Sequence, residues 1–179
     1  MTLHRPANVD DKQALERIIQ GLLEVSAHFP ILFPVHPRTA RQVKAFGMES
    51  SFQFHSSPDI KPQEYFKGKA LKKKIHCFEP LGYLDLLNLM AHAKVVLTDS
   101  GGIQEETTVL NIPCVTLRDT TERPITLTEG TNVLVHNDPD KIVAEVKKVL
   151  GGQKRVRRCP SFWDGRTAER IVAILAKHA

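Results

Sequence analysis

Two adjacent glycines stand between an apolar segment and a helical pattern in the stretch 95–106, which reads VVLTDSGGIQEE. Gly101 and Gly102 carry no side chain, so a phosphate group can approach the main chain there. The unpaired N–H groups and the dipole of a helix N-terminus attract anions, with a contribution of roughly 0.3 to 1 kcal/mol. Ser100 adds a hydroxyl donor. The Asp99-Ser100-Gly101-Gly102 loop therefore predicts a phosphate-binding site, and a tight turn that needs glycine for its conformation alone is the alternative.

Charged side chains follow this loop and the next apolar segment. Glu106 lies one helical turn after Gly102, so its carboxylate can accept hydrogen bonds from the ribose of a ligand above the helix N-terminus. The segment 118–123 reads RDTTER, and its two guanidinium groups have the planar donor geometry that suits phosphate. The alternatives are a solvated helix charge for Glu106 and internal pairing with Asp or Glu for either arginine.

A parallel sheet is needed to bring these residues together, and the pattern of the chain predicts one. Strands are predicted at 2–5, 29–37, 75–78, 94–98, 113–117 and 132–135. Helices are predicted from Asp10, as N-cap, to about 27, and at 38–46, 83–93, 101–110, 139–150 and 166–177. This alternation predicts a three-layer, Rossmann-like α/β domain with a mostly parallel, doubly wound sheet. Residues 47–74 show no sustained period.

Ligands of such sheets bind beyond the carboxyl ends of the strands. The glycine loop lies at that edge, and so do the dipeptides at 4–5 and 79–80, His36 and the segment 118–123. Several polar groups are therefore expected to converge on one ligand.

The composition is that of a single domain, with 179 residues of which 41% are hydrophobic. No apolar run approaches the roughly 18 residues of a membrane span, so we expect a soluble, cytoplasmic protein with no membrane partner. Three widely spaced cysteines argue against a disulfide framework or a zinc site, and we expect no bound metal. The net charge of +5 favours an anionic partner. The basic runs at 69–74 and 154–158 lack interleaved aromatic residues, so nucleic acid is not the expected one.

The first predicted strand, at 2–5, is shorter than the usual five or six residues or so. The sequence begins close to the carboxyl end of this predicted strand. We therefore expect either an excised piece of a longer protein or one part of a split protein.

Several motifs, taken jointly, resemble the non-hydrolysing UDP-N-acetylglucosamine 2-epimerases. They are TLHRPANVD, EPLGYLDLLNLMAHAKVVLTDSGGIQEE, RDTTERP, EGTNVLV and FWDGRTAERIVAIL. The resemblance implies a glycosyltransferase-B-like enzyme with its active site between two Rossmann-like halves, of which this chain is the C-terminal half, 1–179. It also implies an isomerase of cell-surface polysaccharide biosynthesis. That isomerase interconverts UDP-GlcNAc and UDP-ManNAc by eliminating UDP and returning it to 2-acetamidoglucal, without a metal or redox cofactor.

The resemblance assigns most of its site residues to the nucleotide. Those expected to contact UDP are Arg5, Leu81, Leu86, Ser100, Gly101, Gly102, Glu106 and Arg123. Among them the glycine loop holds the diphosphate, Glu106 binds the ribose, and the two leucines line the uracil pocket. In some family members the position of Leu86 is aromatic, so base stacking is expected to be absent there.

Two histidines carry further roles by resemblance. His4 matches a histidine beside the diphosphate that is implicated in catalysis, and an imidazole can stabilise departing UDP by charge or by proton donation. His36 matches a histidine of an allosteric UDP-GlcNAc site in bacterial members, a site that also needs the other domain.

The carboxylates that act at C2 belong to the N-terminal half of the family, which no segment of this chain matches. The chain alone is therefore expected to bind nucleotide without turning over. Its partners are expected to be a UDP-sugar, an N-terminal half in cis or in trans, and a second copy in a homodimer. The alternatives are a stand-alone nucleotide-sugar sensor, a subunit of a split enzyme, a UDP-sugar glycosyltransferase half, and a hydrolysing epimerase.

Overall fold

The computed structural model of the protein describes residues 1–55, 75–152 and 159–178. Both basic runs, at 69–74 and 154–158, lie outside these ranges. In the described ranges the helices are α1 (Pro6–Val9), α2 (Lys12–Ser26), α3 (Pro37–Ala45), α4 (Tyr83–Ala91), α5 (Gly101–Val109), α6 (Ile125–Thr128), α7 (Pro139–Leu150) and α8 (Thr167–His178). The strands are β1 (Ile31–Pro34), β2 (Phe52–Phe54), β3 (Ile75–Phe78), β4 (Val96–Thr98), β5 (Cys114–Thr116) and β6 (Asn132–Leu134).

The strands form two parallel groups, in the orders β1-β3-β2 and β4-β5-β6. Residues 1–4 lie between the two groups. The Met1 amino group donates to the Leu32 carbonyl of β1, and the Thr2 N–H donates to the Leu97 carbonyl of β4 at 2.9 Å. The spatial order is therefore β2-β3-β1, residues 1–4, β4-β5-β6. The predicted mostly parallel α/β sheet is confirmed.

Helices cover both faces of this sheet. Val96 and Leu97, neighbours on β4, belong to different apolar clusters, since successive side chains of a strand point to opposite faces. The larger cluster includes side chains of α2 and α7, and the smaller one includes side chains of α4 and α5. Gly21 lets α2 approach α7 closely, because a Cβ there would lie 3.1 Å from the Pro139 Cα. Helices on both sides of one sheet make the predicted three layers.

The start of α2 differs from the prediction. Asp11, and not Asp10, is the N-cap, and its carboxylate accepts the Ala14 N–H at 2.7 Å. Asp10 instead accepts hydrogen bonds from Arg38 and Gln42 of α3. The short helix α1 ends at this point, which turns Asp10 away from the first turn of α2. The assignment of Asp10 as N-cap is therefore wrong.

The strand β2 was not predicted either. It is three residues long, Phe-Gln-Phe, and it pairs in parallel with β3 at the edge of the sheet. A segment this short carries no measurable alternation of apolar and polar residues.

The helix α8 follows the predicted range closely, but none of its residues is buried. Its exposed apolar side chains are Ile171, Val172, Ile174 and Leu175. None of the helices in the described ranges is long and apolar enough to cross a lipid bilayer.

Candidate functional site

Asp99 anchors the site at the carboxyl end of β4. Its side chain is 0% exposed, yet it accepts hydrogen bonds from three residues of the N-terminal segment. The donors are the His4 N–H at 3.1 Å, the Arg5 N–H at 2.8 Å and the Asn8 side-chain amide at 3.2 Å. The His4 imidazole Nδ1 also lies 3.1 Å from this carboxylate. One buried carboxylate therefore fixes the turn that carries both His4 and Arg5.

Two opposing effects act on the Asp99 carboxyl. Burial raises its pKa, but hydrogen bonds from His4 and from the Arg5 N–H outweigh burial and hold the pKa below its ordinary value of 3.8. The carboxylate is thus charged at neutral pH. Because it takes Nδ1 of His4, the opposite ring nitrogen Nε2 points away from it, and Nε2 is the nitrogen left for a ligand.

The helix α5 starts at the glycine loop with no side chain capping it. Ser100 is the N-cap residue, and its hydroxyl makes no capping hydrogen bond. A Cβ on Gly102 would have no atom within 4 Å, whereas a Cβ on Gly101 would lie 2.7 Å from Glu122 Oε1 and 3.9 Å from Arg5 Nη2. One glycine therefore faces open space, and the other lies directly under a carboxylate and a guanidinium group.

Glu122 lies over the N-terminus of α5 between two arginines. Its Oε1 accepts from Arg5 Nη2 at 3.0 Å, and its Oε2 accepts from Arg118 Nη1 at 2.6 Å. A hydrogen bond from its own backbone N–H and one from Arg118 hold the pKa of Glu122 below its ordinary value. A protein carboxylate thus lies beside Gly101, between the guanidinium groups of Arg5 and Arg118. Sequence reasoning did not predict this role for Glu122.

The remaining charged residues predicted at the site lie farther along α5 and its neighbouring loop. Arg123 Nε lies 2.9 Å from Glu105 Oε1, so Arg123 is internally paired. Glu106 forms no ion pair with any residue of the described ranges, which leaves its carboxylate available. The Nε–H of Arg5 is buried and has no hydrogen-bond partner among the residues that the structure describes.

A buried polar network holds the arginine-bearing loop against α5. Gln104 is 0% exposed, and its Oε1 accepts from the Thr121 hydroxyl at 2.6 Å and from Asn132 Nδ2 at 3.0 Å. Its Nε2 donates to the Ser100 carbonyl at 3.1 Å. Asn132 also accepts from the Thr116 hydroxyl of β5 at 2.6 Å. Gln104 thus joins the glycine loop, the segment 118–123 and the sheet, and sequence reasoning missed it because its residue type indicates a surface position.

The three other predicted site residues are His36, Leu81 and Leu86. The His36 ring lies 5.8 Å from the His4 ring, and His36 Nδ1 accepts the Arg38 N–H at 3.1 Å as the N-cap of α3. Leu81 is half-buried just after β3. Leu86 packs with the smaller apolar cluster and lines a cavity toward the other end of the sheet. The uracil contacts of both leucines stay predictions.

No group of three His, Cys, Asp or Glu side chains in the described ranges is arranged to hold a metal ion. The site is built instead from backbone N–H groups, arginines, one histidine and carboxylates. Such a set binds an anion through hydrogen bonds and charge.

A family model described as UDP-N-acetylglucosamine 2-epimerase matches residues 1–176. The UDP-N-acetylglucosamine 2-epimerase of Methanocaldococcus jannaschii is 40% identical over 177 residues, covering 98% of this chain and 43% of that protein. The UDP-2,3-diacetamido-2,3-dideoxy-D-glucuronate 2-epimerase of Pseudomonas aeruginosa is 34% identical over 178 residues, which cover 98% of this chain and 43% of that protein.

Solved structures show the same relation. The M. jannaschii UDP-GlcNAc 2-epimerase, crystallised with UDP-GlcNAc and UDP, matches with a TM-score of 0.76 and 40% identity over 98% of this chain and 44% of that one. The UDP-GlcNAc 2-epimerase of Neisseria meningitidis, bound to UDP-GlcNAc, matches with a TM-score of 0.71 and 26% identity over 98% of this chain and 43% of that one. The chain therefore spans less than half the length of these relatives.

Proposed function

The chain belongs to the UDP-N-acetylglucosamine 2-epimerase family, and from that premise we propose that it supplies the UDP-binding half of an epimerase site. The observation that carries the proposal is the start of α5. The helix begins with two glycines and has no side-chain cap, and the Glu122 carboxylate lies beside Gly101, held by Arg5 and Arg118. A diphosphate has the charge and the acceptor oxygens to take that place.

The remaining contacts follow from the placement of the diphosphate. Glu106, unpaired and one turn along α5, accepts from the ribose hydroxyls. Arg123 contacts the nucleotide after leaving Glu105. The other half of the enzyme, in cis or in trans, closes over the sugar and supplies the groups that act at C2. In this proposal the chain recognises UDP, and the identity of the sugar is read largely by that other half.

In this proposal His4 assists the departure of UDP. Elimination breaks the C1–O bond to the diphosphate and removes the proton at C2, which gives 2-acetamidoglucal and UDP. Protonated at Nε2, His4 places charge and a proton next to the β-phosphate oxygen that leaves C1. Asp99 holds the ring by Nδ1, which leaves Nε2 for this role. Return of UDP to C1, with a proton delivered to the opposite face of C2, completes the epimerisation.

Binding of UDP by the isolated chain is the first test. At about 100 times its Kd, UDP adds about 2.7 kcal/mol to the free energy of unfolding. For a domain of this size that raises Tm by roughly 5–10 °C. Gly102→Ala should weaken UDP binding by about tenfold or more, or about 1.4 kcal/mol, since its methyl group enters the space kept for the diphosphate. Calorimetric titration and thermal melting measure both effects.

The free protein is the internal control for this variant. Because a Cβ at Gly102 meets no atom within 4 Å, Gly102→Ala should leave the unliganded protein as stable as the parent or up to about 1 kcal/mol more stable. Unchanged UDP affinity in a stably folded Gly102→Ala protein would remove the diphosphate from this loop.

Turnover is the second test, and we expect no epimerase activity from the isolated chain. The isolated chain should neither convert UDP-GlcNAc to UDP-ManNAc nor exchange the C2 proton with solvent deuterium, since no group of this half is assigned to C2. Adding the N-terminal half of a relative as a separate protein should restore both activities if the chain is a subunit of a split enzyme. Nucleotide binding without such complementation would favour a sensor, and turnover by the chain alone would contradict the proposal.

Glu122 provides the third test, because a diphosphate must displace its carboxylate. Glu122→Gln removes the competing negative charge while keeping the size of the side chain. We expect UDP affinity to rise by about three- to tenfold, most strongly at low salt. Glu16→Gln on α2, an exposed carboxylate paired with Lys12, is the matched control and should change nothing. A fall in affinity for Glu122→Gln would mean that the carboxylate holds the arginines in place for the ligand.

A further inference from the structure

A closed ring of hydrogen bonds lies behind the main chain of Arg123. Thr121 Oγ1 accepts the Arg123 N–H at 3.0 Å and donates to Gln104 Oε1 at 2.6 Å. On the other side, Thr126 Oγ1 donates to the Arg123 carbonyl at 2.7 Å and accepts from Asn132 Nδ2 at 3.1 Å. Asn132 Nδ2 also donates to Gln104 Oε1 at 3.0 Å, which closes the ring. We refer to these residues together as the Arg123 ring.

The two side-chain amides of the Arg123 ring have one orientation that makes all of these hydrogen bonds. Gln104 Nε2 donates to the Ser100 carbonyl at 3.1 Å, so Gln104 Oε1 faces into the ring. The Asn132 amide nitrogen must then meet this oxygen, because two carbonyl oxygens would repel each other. That orientation leaves Asn132 Oδ1 to accept from the Thr116 hydroxyl of β5 at 2.6 Å. Asn132 thus uses its nitrogen within the ring and its oxygen on the sheet.

Most of the Arg123 ring lies in the protein interior. Gln104, Thr126 and Asn132 are each 0% exposed. A buried polar group costs free energy unless it is hydrogen-bonded, whereas apolar side chains fill the same volume without that requirement. A buried network in which every member is satisfied specifies one arrangement of the segments that it joins. The segment at the outer side of the ring is the main chain of Arg123, whose side chain is 42% exposed.

The side chain of Arg123 is held to the same turn of α5 as its main chain. Gln104 and Glu105 are successive residues of α5, and Arg123 Nε lies 2.9 Å from Glu105 Oε1. The Arg123 Nε–H is buried and makes no hydrogen bond in the described part of the chain, so its proton is not directed at that oxygen. Since α5 begins at Gly101, Arg123 and the glycine loop are attached to one helix.

We propose that the Arg123 ring positions Arg123 for the nucleotide, with Asn132 of β6 as a positioning residue that acts from the interior without contacting the ligand. The ring sets the direction in which the Arg123 side chain leaves the main chain. It also ties that direction to the helix that begins with the glycine loop. This inference rests on the proposed function, because it takes UDP as the ligand that Arg123 contacts. The geometry of the ring itself does not depend on UDP.

Single substitutions open the ring. Thr126→Val removes the hydroxyl with little change in shape, and UDP affinity should fall by about five- to tenfold because Arg123 is no longer held in one orientation. Thr126→Ser keeps the hydroxyl and should stay within about twofold of the parent. Asn132→Leu has a similar branched shape without polar atoms and opens both arms, so it should lose at least as much affinity as Thr126→Val. Calorimetric titration measures these affinities.

A double-mutant cycle separates positioning of Arg123 from a general loss of structure. In an Arg123→Met background, Thr126→Val should lower UDP affinity by less than about twofold, because the residue that the ring holds is gone. Equal losses in both backgrounds would overturn the proposal. Thr107→Val is the matched control, since Thr107 is also 0% exposed and its hydroxyl donates to the Ile103 carbonyl at 2.7 Å, outside the ring. It should lower Tm much as Thr126→Val does and leave UDP affinity within about twofold.

Hydrogen exchange examines the ring in the absence of nucleotide. The Arg123 amide donates to Thr121 Oγ1 and does not touch Asn132. Asn132→Leu should nevertheless speed exchange at this amide by about tenfold or more, because the ring holds its members together. Unchanged exchange at Arg123 in a folded Asn132→Leu protein would overturn the role of Asn132.

Thr121→Val decides the matter if the buried variants do not fold. Thr121 is half-buried in the loop after β5, so its hydroxyl can be removed with less disturbance of the core. Loss of UDP affinity in the parent but not in the Arg123→Met background would support the proposal, and equal losses would overturn it. A parent chain that binds no UDP would contradict the proposed function itself. A parent that binds UDP and shows equal losses in both backgrounds would contradict the ring alone.

Discussion

Replacing Asp99 with alanine is expected to lower the free energy of unfolding by about 3–5 kcal/mol, because it leaves several buried donors unpaired. Those donors are the His4 and Arg5 N–H groups and the Asn8 amide, all of which bind this one carboxylate. The same change releases the turn that carries His4 and Arg5, so UDP affinity should fall by at least about tenfold. Chemical denaturation and calorimetric titration measure the two losses.

Two further variants make the Asp99 result specific. Asp99→Asn keeps one carbonyl acceptor in the same volume and should lose about half as much stability. Asp119→Ala removes an aspartate whose side chain is 79% exposed and should stay within about 0.5 kcal/mol of the parent. If Asp99→Ala were as stable as Asp119→Ala, the buried carboxylate would not organise the site.

Asp99 also sets a dependence of stability on acid. Its pKa is lower in the folded protein than its ordinary value of 3.8, so the ionised group stabilises the fold above that pH. This stabilisation is lost as the pH falls below 3.8 through the folded-state pKa. Asp99→Asn, which does not titrate, should therefore lose less stability over the same acid range.

Replacing Gln104 with leucine should cost about 2–4 kcal/mol of folding stability, the second largest effect expected. Leucine has a similar size but leaves the Thr121 hydroxyl, the Asn132 amide and their neighbours without the partner that joins them. The Ser100 carbonyl also loses its hydrogen bond from α5. UDP affinity should fall together with stability, because the loop that carries Arg118 is no longer held against the glycine loop.

Gln20→Leu is the matched control for Gln104, since Gln20 is exposed on α2. It should change stability by no more than about 0.5 kcal/mol and leave UDP binding unchanged. Gln104→Leu with normal UDP affinity, measured where the protein is fully folded, would show that the network supports the core alone.

The sheet was largely predictable from the sequence, for physical reasons. Short apolar segments such as 75–78 and 132–135 alternate with helical periods, and this alternation allows few arrangements other than a parallel sheet. The strand β2 was not predictable because Phe52, Gln53 and Phe54 form too short a segment to show a period. The N-cap of α2 was missed because Asp10 and Asp11 are adjacent, and only the packing of α1 and α3 decides between them.

The site was predictable in location and less so in its internal contacts. Residues that follow strands of a parallel sheet lie at one edge, which brings Arg5 and the glycine loop together. The family is likewise predictable, because its motifs are long and occur in order. The roles of Glu122 and Gln104 are tertiary contacts between segments far apart in the chain. No local sequence pattern indicates that Glu122 pairs with two arginines beside Gly101, or that Gln104 points into the protein.

The position of residues 1–4 has a consequence for how the molecule comes apart. These four residues are the junction between two three-strand groups, and the last of them, His4, belongs to the candidate site together with Arg5, which follows it. Partial unfolding of residues 1–4 therefore separates the two groups and disrupts the candidate site at the same time. If the proposed function is correct, a nucleotide bound by His4 and Arg5 opposes this opening and should protect the centre of the sheet from proteases.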